Sequence, residues 1–195
     1  DGNNKWMLSA NGTIFTYEYE AIIPGLLKRW YAERQEMQQK MHDCGDNEIE
    51  REYWDKRQLV KKINLNSLYG AILNPGCRFF DIRIGQSVTL TGRCITKHMA
   101  SKVNEIVAGA YNHKGESVVY GDTDSVYFTA HKTLQKEINE GVIPWTKDSV
   151  VALYDKISDE VNGSFKSFMT KAFHTPSTRG EVIKAGRELV ASKGL

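Results

Sequence analysis

Apolar positions along the chain recur at two periods, and the switches between them mark the predicted elements. The opening W6-M-L-S-A-N-G-T-I-F-T-Y17 reads as a hairpin about Asn11-Gly12, a short-range signal for two strands joined by a tight turn. The period then becomes helical. Pro24 stands where a helix takes its first residue, and an apolar stripe follows at Leu27, Trp30, Met37 and Met41, with Arg34 in its middle. The stretch DCGDNEIERE breaks the pattern at Gly45 and restarts it with Asn47 and Glu50 spaced as a capping box. A second helix is predicted from about Glu48 to Leu73, stopped by Asn74-Pro75-Gly76. Residues 24 to 73 are therefore expected to form an antiparallel helical hairpin that interrupts a sheet.

After a strand-like C77-R-F-F-D-I-R-I84, Val88, Gly92, Ile95, Met99, Val103, Ile106 and Ala110 recur in steps of four and three, predicting a helix over 87–112. The segment V118-V-Y-G-D-T-D-S-V-Y-F128 reads as a second hairpin, and Val150, Tyr154, Ile157, Val161, Phe165 and Phe168 predict a helix over about 148–172. His174-Thr-Pro-Ser-Thr is a loop, and GEVIKAGRELVA a last strand. Antiparallel strands backed by long helices, with a helical hairpin inserted, define an α+β fold. Its expected subdomains are 1–23, 24–73 and 74–195, the first and last sharing one sheet.

Composition narrows the class without naming a function. The 195 residues are 41% hydrophobic and 26% charged, as in globular chains. No apolar run approaches a membrane span, and the start, DGNNKW, has neither the basic nor the apolar region of a secretory signal. That start also lacks a Met, which leads us to expect a piece of a longer polypeptide. Cys44, Cys77 and Cys94 are few, odd in number and widely spaced, which argues against a disulfide framework and a zinc site. The five His form no HxH or HxxxH pair, so we read them as ordinary surface or core residues. The net charge of +2 is too small to imply a nucleic-acid partner; Arg78, Arg83, Arg93, Lys97 and Lys102 form a local basic run, more often a solvated face than a phosphate track.

Two constellations carry chemistry. In an extended chain residues i and i+2 face one side, so Asp122 and Asp124 are expected to project together near a hairpin tip. Like charges that close repel unless protonated, paired with a cation or bound to metal, and hard oxygens suit Mg²⁺ shared with a substrate phosphate. A solvated turn is the competing reading of such a pair. In K61-K-I-N-L-N-S-L-Y-G70, Lys62, Asn66 and Tyr69 share one helix face as a polar stripe about 10 Å long, which Arg34 from the first helix can join. A guanidinium on an apolar face calls for an anionic partner, and its fork suits phosphate oxygens. Read singly, these are surface or cap-like residues. Together with the acids they match the needs of a nucleoside triphosphate: cations along the phosphates, a flat surface for the base, and carboxylates holding metal at the α-phosphate.

Y120-G-D-T-D-S125 resembles motif C, and K62-I-N-L-N-S-L-Y-G70 resembles motif B, of the family B DNA polymerases; the neighbouring text, including KVNE at 102–105, is similar to the replicative polymerases of T-even-type bacteriophages. The resemblance covers essentially the whole chain. It implies a palm sheet carrying the catalytic acids and a fingers subdomain formed by the helical hairpin, with Arg34 and Lys62 on the triphosphate, Asn66 near the incoming nucleotide, and Tyr69 and Gly70 lining the nascent base pair. Asp124 matches the principal metal ligand and Asp122 its more peripheral partner, while Glu188 on the last strand is a further carboxylate at the margin. The implied chemistry is two-metal (Mg²⁺) transfer of a deoxynucleotide to a primer 3′-hydroxyl, with primer-template DNA and deoxynucleoside triphosphates as partners, in the cytoplasm of an infected bacterium and with no membrane.

The sequence departs from the family pattern in places. Gln38 stands where a second basic residue is common one turn after the fingers arginine, with Lys40 facing another way. No D-x-x-S-L-Y-P motif A is present, and neither a basic KKxY-like element, an exonuclease domain nor a thumb is found, so the chain is expected to be inactive alone. Two other functions remain open at this point: a non-catalytic nucleic-acid-binding module, and a DxD glycosyltransferase, which explains the acids but not motif B.

Overall fold

A computed structural model describes residues 5–191. The chain divides into two compact units, one formed by Thr16–Gln86 and the other by the residues up to Phe15 together with those from Ser87 onward. At the start β1 (Trp6–Leu8) pairs with β2 (Ile14–Thr16). Gly12 takes φ +85°, the left-handed turn conformation that glycine adopts without steric cost, and the Ser9 hydroxyl bonds the Asn11 side chain and the Thr13 carbonyl.

The Thr16–Gln86 unit is built on α1 (Ile22–Asp43) and α2 (Glu48–Ile72). Three contacts fix these as antiparallel: Lys61 pairs with Glu33, Arg34 Nε donates to Gln58 Oε1 at 3.1 Å, and Lys40 lies 4.8 Å from the Trp54 ring centre. Leu27, Trp30, Met37 and Met41 are half-buried along α1, the face the stripe predicts. Pro24 sits within the first turn rather than at its first residue, still where a missing N–H costs nothing. Asn47 caps α2 by accepting from the Glu50 amide at 3.3 Å. The reciprocal half differs from a capping box, because Glu50 Oε2 bonds the Asn47 side-chain amide, and the Asn47 backbone N–H goes to Cys44 O.

The strand expected over 77–84 does not form: residues 77–81 are turn and loop, and Ile82 opens α3 (Ile82–Ala108). The cause is Asp81. Its carboxylate accepts from the Arg83 amide at 2.9 Å and from the Arg83 guanidinium at 3.1 and 2.7 Å, a helix-starting arrangement that outweighs the β preference of Phe79 and Phe80. This pairing holds the Asp81 carboxyl down to a pKa of about 2. At its other end α3 stops at Gly109, whose φ of +75° closes the helix before the expected 112, leaving Ala110 exposed; Val88 is exposed as well.

The core of the other unit lies between α3, α5 (Lys147–Phe173) and the hairpin of β3 (Val118–Asp122) and β4 (Ser125–Phe128). Ile157, Val161, Phe165, Met169 and Phe173 are buried at four-residue steps along α5, and Val103 meets them from α3. Ile95, Met99, Val118 and Phe128 close the sides. Each of the fully buried side chains contributes about 1.5–3 kcal/mol by leaving water, and the partly buried ones less. A capping box of Thr146 and Ser149 starts α5, and His174 at φ +54° ends it. A short helix, α4 (Gln135–Asn139), lies between β4 and α5.

Two polar pins complete this unit. Buried Asn104 donates to Asn112 O at 2.8 Å and Ala100 O at 3.3 Å and accepts from the Ser117 amide at 3.0 Å, folding the 109–117 loop onto α3. His98 is buried too: its Nδ1 faces Tyr111 Oη at 2.7 Å, its Nε2 faces Ser164 Oγ at 2.9 Å, and its ring stacks on Phe168 at 3.9 Å. The last strand predicted over 180–191 is absent. Residues 180–182 form a 3₁₀ turn and residues 183–191 are irregular, held to α5 by Asn162, which donates to Ala185 O at 2.9 Å and accepts from Ala185 N at 2.7 Å. With the backbone N–H and C=O of Ala185 taken by side chains of α5, this segment pairs with no strand among the described residues. The fold is α+β, its sheets being two separate antiparallel pairs.

Candidate active site

The DxD sits at the β3–β4 turn. Tyr120 opposes Tyr127, Gly121 opposes Val126 and Asp122 opposes Ser125, with an irregularity at Val119 that shifts the register from Val118↔Phe128. Thr123 and Asp124 are the two turn residues, and Thr123 has φ +42°. A β-branched residue in the left-handed region is strained, and such strain persists where surrounding contacts enforce it. It also corrects the expectation that the two acids share a face by extended-chain alternation, because the backbone reverses between them. Asp122 belongs to the ladder and Asp124 to the turn.

The two carboxylates differ in their surroundings. Asp122 Oδ1 accepts from the Thr123 hydroxyl at 3.0 Å, and the Asp122 carbonyl accepts from Ser125 Oγ at 3.1 Å. Asp124 is exposed and its carboxylate has no hydrogen-bond or ion-pair partner among the described residues. From α3, the Thr96 hydroxyl donates to the Thr123 carbonyl at 2.9 Å. Two exposed carboxylates at one turn, with oxygen donors alone and one of them unpartnered, fit a hard divalent cation that keeps waters and takes ligands from a substrate. Among the described residues no three acidic, His or Cys side chains converge on a metal-sized site, so the chain offers two carboxylates and no closed cage. Glu188 is exposed on the irregular segment after Ala185, beside Arg187, which pairs with Asp155 at 2.6 Å.

Arg34, Lys62, Asn66, Tyr69 and Gly70 all belong to the helical unit. Lys62 and Asn66 are exposed and unbonded among the described residues, and Arg34 is half-buried on α1. Gln58 links them. It lies four residues before Lys62, hence on the same face of α2, and its Oε1 holds Arg34 while its Nε2 bonds Asp55 at 2.9 Å. The guanidinium is thus anchored at one end of a Gln58-Lys62-Asn66 row with its terminal nitrogens available for an anion. Gln58 escaped the sequence reading, although its spacing from Lys62 was a usable signal. Tyr69 is half-buried, its hydroxyl donating to Gly85 O at 3.3 Å; Leu73 packs closely over Gly85, and a Cβ there would displace the Leu73 side chain. Gly70 is exposed with open space where a Cβ would stand. Lys40 is taken up by Glu36 at 2.6 Å and by the Trp54 face. In the basic run, Arg83 pairs with Asp81 and Lys102 with Glu105, both at a 2.6–2.7 Å separation.

The sequence description of DNA polymerase family B matches residues 4–169. The DNA-directed DNA polymerase of Escherichia phage RB69 is 39% identical over 80 residues, 40% of this chain and 9% of that protein. The DNA polymerase of Pyrococcus glycovorans is 30% identical over 179 residues, 90% of this chain and 22% of that protein. The DNA polymerase alpha catalytic subunit of Oxytricha trifallax is 30% identical over 151 residues, 77% of this chain and 9% of that protein. The chain therefore spans about a tenth to a fifth of the length of these relatives. With most of its length matched by the family description, the chain belongs to DNA polymerase family B.

Proposed function

We infer that this chain supplies the fingers and part of the palm of a phage-type replicative DNA polymerase, with residues 24–73 as fingers and the flanking segments as palm. The observation that carries the reading is the carboxylate turn: a strained Thr123 between Asp122 and an Asp124 without a partner among the described residues, in a chain of this family. In that reading Arg34 and Lys62 neutralise the triphosphate of an incoming deoxynucleotide, Asn66 lies near it, and Tyr69 and Gly70 bound the nascent base pair. Asp124 is the principal ligand of a divalent ion and Asp122 the peripheral one, with Glu188 at the margin. Bound there, Mg²⁺ would offset charge at the α-phosphate and favour the ionised primer hydroxyl. The sequence holds no D-x-x-S-L-Y-P, so a further carboxylate has to come from elsewhere in the polypeptide, and the 195 residues alone do not extend a primer.

The nucleotide half is tested by Lys62→Ala in the full-length polymerase that contains this chain. Loss of a charge-assisted contact raises KM for the deoxynucleotide about ten- to a hundredfold, while the affinity for primer-template changes less than twofold. An unchanged KM removes Lys62 from the triphosphate.

A further inference from the structure

The geometry points to Thr96 as a positioning residue for Asp124, acting through the turn that carries it. The inference rests on the polymerase reading of the DxD. Thr96 stands on α3, one turn after Gly92 and next to Ile95, which packs against the core. Its hydroxyl has two acceptors in reach, the Gly92 carbonyl of its own helix at 3.2 Å and the Thr123 carbonyl at 2.9 Å. One proton serves one acceptor at a time, and the nearer is the turn. The Thr123 carbonyl belongs to the peptide that joins Thr123 to Asp124. Holding that oxygen fixes the plane of the peptide and with it the direction in which the Asp124 Cα and carboxylate leave the turn.

The turn needs such a tie. Thr123 is held at φ +42°, a conformation a β-branched residue leaves readily when nothing opposes it. The contacts within the turn, Thr123 Oγ1 to Asp122 Oδ1 and Ser125 Oγ to Asp122 O, both secure the Asp122 side. Among the described residues the Asp124 side is secured from outside the hairpin by Thr96 alone, and Asp124 itself makes no bond that would orient it. The support comes from a rigid element, because α3 and the hairpin share one core through Ile95, Met99, Val118 and Phe128. A metal ligand held by its backbone in this way is pre-oriented before the ion arrives.

The test is made in the full-length polymerase with three variants. Thr96→Val keeps the shape and removes the hydroxyl, Thr96→Ser restores the hydroxyl without the methyl, and Thr170→Val removes an intrahelical hydroxyl on α5 that bonds Lys166 O. Mn²⁺ binding is followed by electron paramagnetic resonance, and single-nucleotide extension is followed against Mg²⁺ concentration. Thr96→Val weakens Mn²⁺ binding and raises the half-saturating Mg²⁺ about two- to tenfold, the effect of one net hydrogen bond, with the nucleotide KM unchanged. Thr96→Ser returns both to within twofold of the parent, and Thr170→Val alters neither. Unchanged metal dependence in Thr96→Val, or a loss that Thr96→Ser fails to restore, overturns the positioning role. Asp124→Asn separates this from failure of the site itself: if that variant still extends primers at the parent rate, the polymerase reading of the acids falls first.

Discussion

Replacing Asn104 by Ala probes how the unit built on α3, α5 and the β3–β4 hairpin is held together. Asn104 is 1% exposed, and its side chain supplies one acceptor and two donated bonds to backbone groups on both sides of the 109–117 loop. Removing it orphans the Ser117 amide, whose residue is 2% exposed and whose own hydroxyl already lacks a partner. An unsatisfied buried donor costs about 1–3 kcal/mol and the lost bond to Asn112 O about 1 more. A groove lined by Asn104, Ala110, Asn112 and Gly115 borders this loop, so the space left by the truncated side chain opens toward solvent, which favours the lower half of that range. At about 2–4 °C per kcal/mol for a chain of this size, Asn104→Ala lowers Tm by about 4–12 °C. Thermal unfolding by circular dichroism gives the shift, and amide exchange reports Ser117 directly. Gly115→Ala sharpens the test, since its Cβ would stand 2.5 Å from Asn104 Cγ. In the Asn104→Ala background that clash is gone, so the double variant is less destabilised than the sum of the singles by about 1 kcal/mol or more. A Tm shift below about 2 °C with unchanged Ser117 exchange, or strictly additive singles, refutes the reasoning.

Burial, with the Lys102 charge adding to it, holds the His98 pKa below its usual value. A group depressed in the folded state binds fewer protons there than when unfolded, so stability is complete above the unfolded value near 6.5 and falls as pH drops from there through the folded value. Denaturant unfolding between pH 8 and 5 shows this slope, and His98→Gln flattens it; an identical slope in both assigns it elsewhere. Arg83→Ala removes the guanidinium bonds, the largest cause of the shift, so the Asp81 carboxyl titrates above about 2 but still below its ordinary range, because the backbone amide of residue 83 keeps its bond; carbon NMR of the carboxyl shows this, and the acid-side stability lost in the parent as pH falls through about 2 is then reduced.

Where local chemistry and packing agreed, the chain could be read without coordinates. The Asn11-Gly12 turn was legible because glycine alone accepts φ +85° without cost, and α5 because Ile157, Val161 and Phe165 of its predicted stripe are buried on one face, which Met169 and Phe173 rather than Phe168 continue. The failures have one kind of cause, a specific side-chain bond that periodicity does not record. Asp81 starts a helix inside an aromatic run that favours a strand, and Asn162 occupies the backbone of a segment that alternates like one. Thr123 reverses the chain between two acids that alternation would place side by side. Family resemblance was carried by YGDTDS and KINLNSLYG, whereas the supports around them lie outside those motifs: Thr96 emerges only from a contact across 27 residues, and Gln58, though spaced four residues from Lys62, is tied to Arg34 by a contact across 24.

The central claim is that Asp124, set in the turn and without a side-chain partner among the described residues, is the principal metal carboxylate this chain contributes to nucleotidyl transfer. Single-turnover primer extension by the Asp124→Ala variant of the full-length polymerase, with primer-template affinity measured alongside, tests it most directly. The account predicts that extension is abolished, a loss of at least about a thousandfold, while DNA binding stays within about twofold. Extension near the parent rate contradicts it.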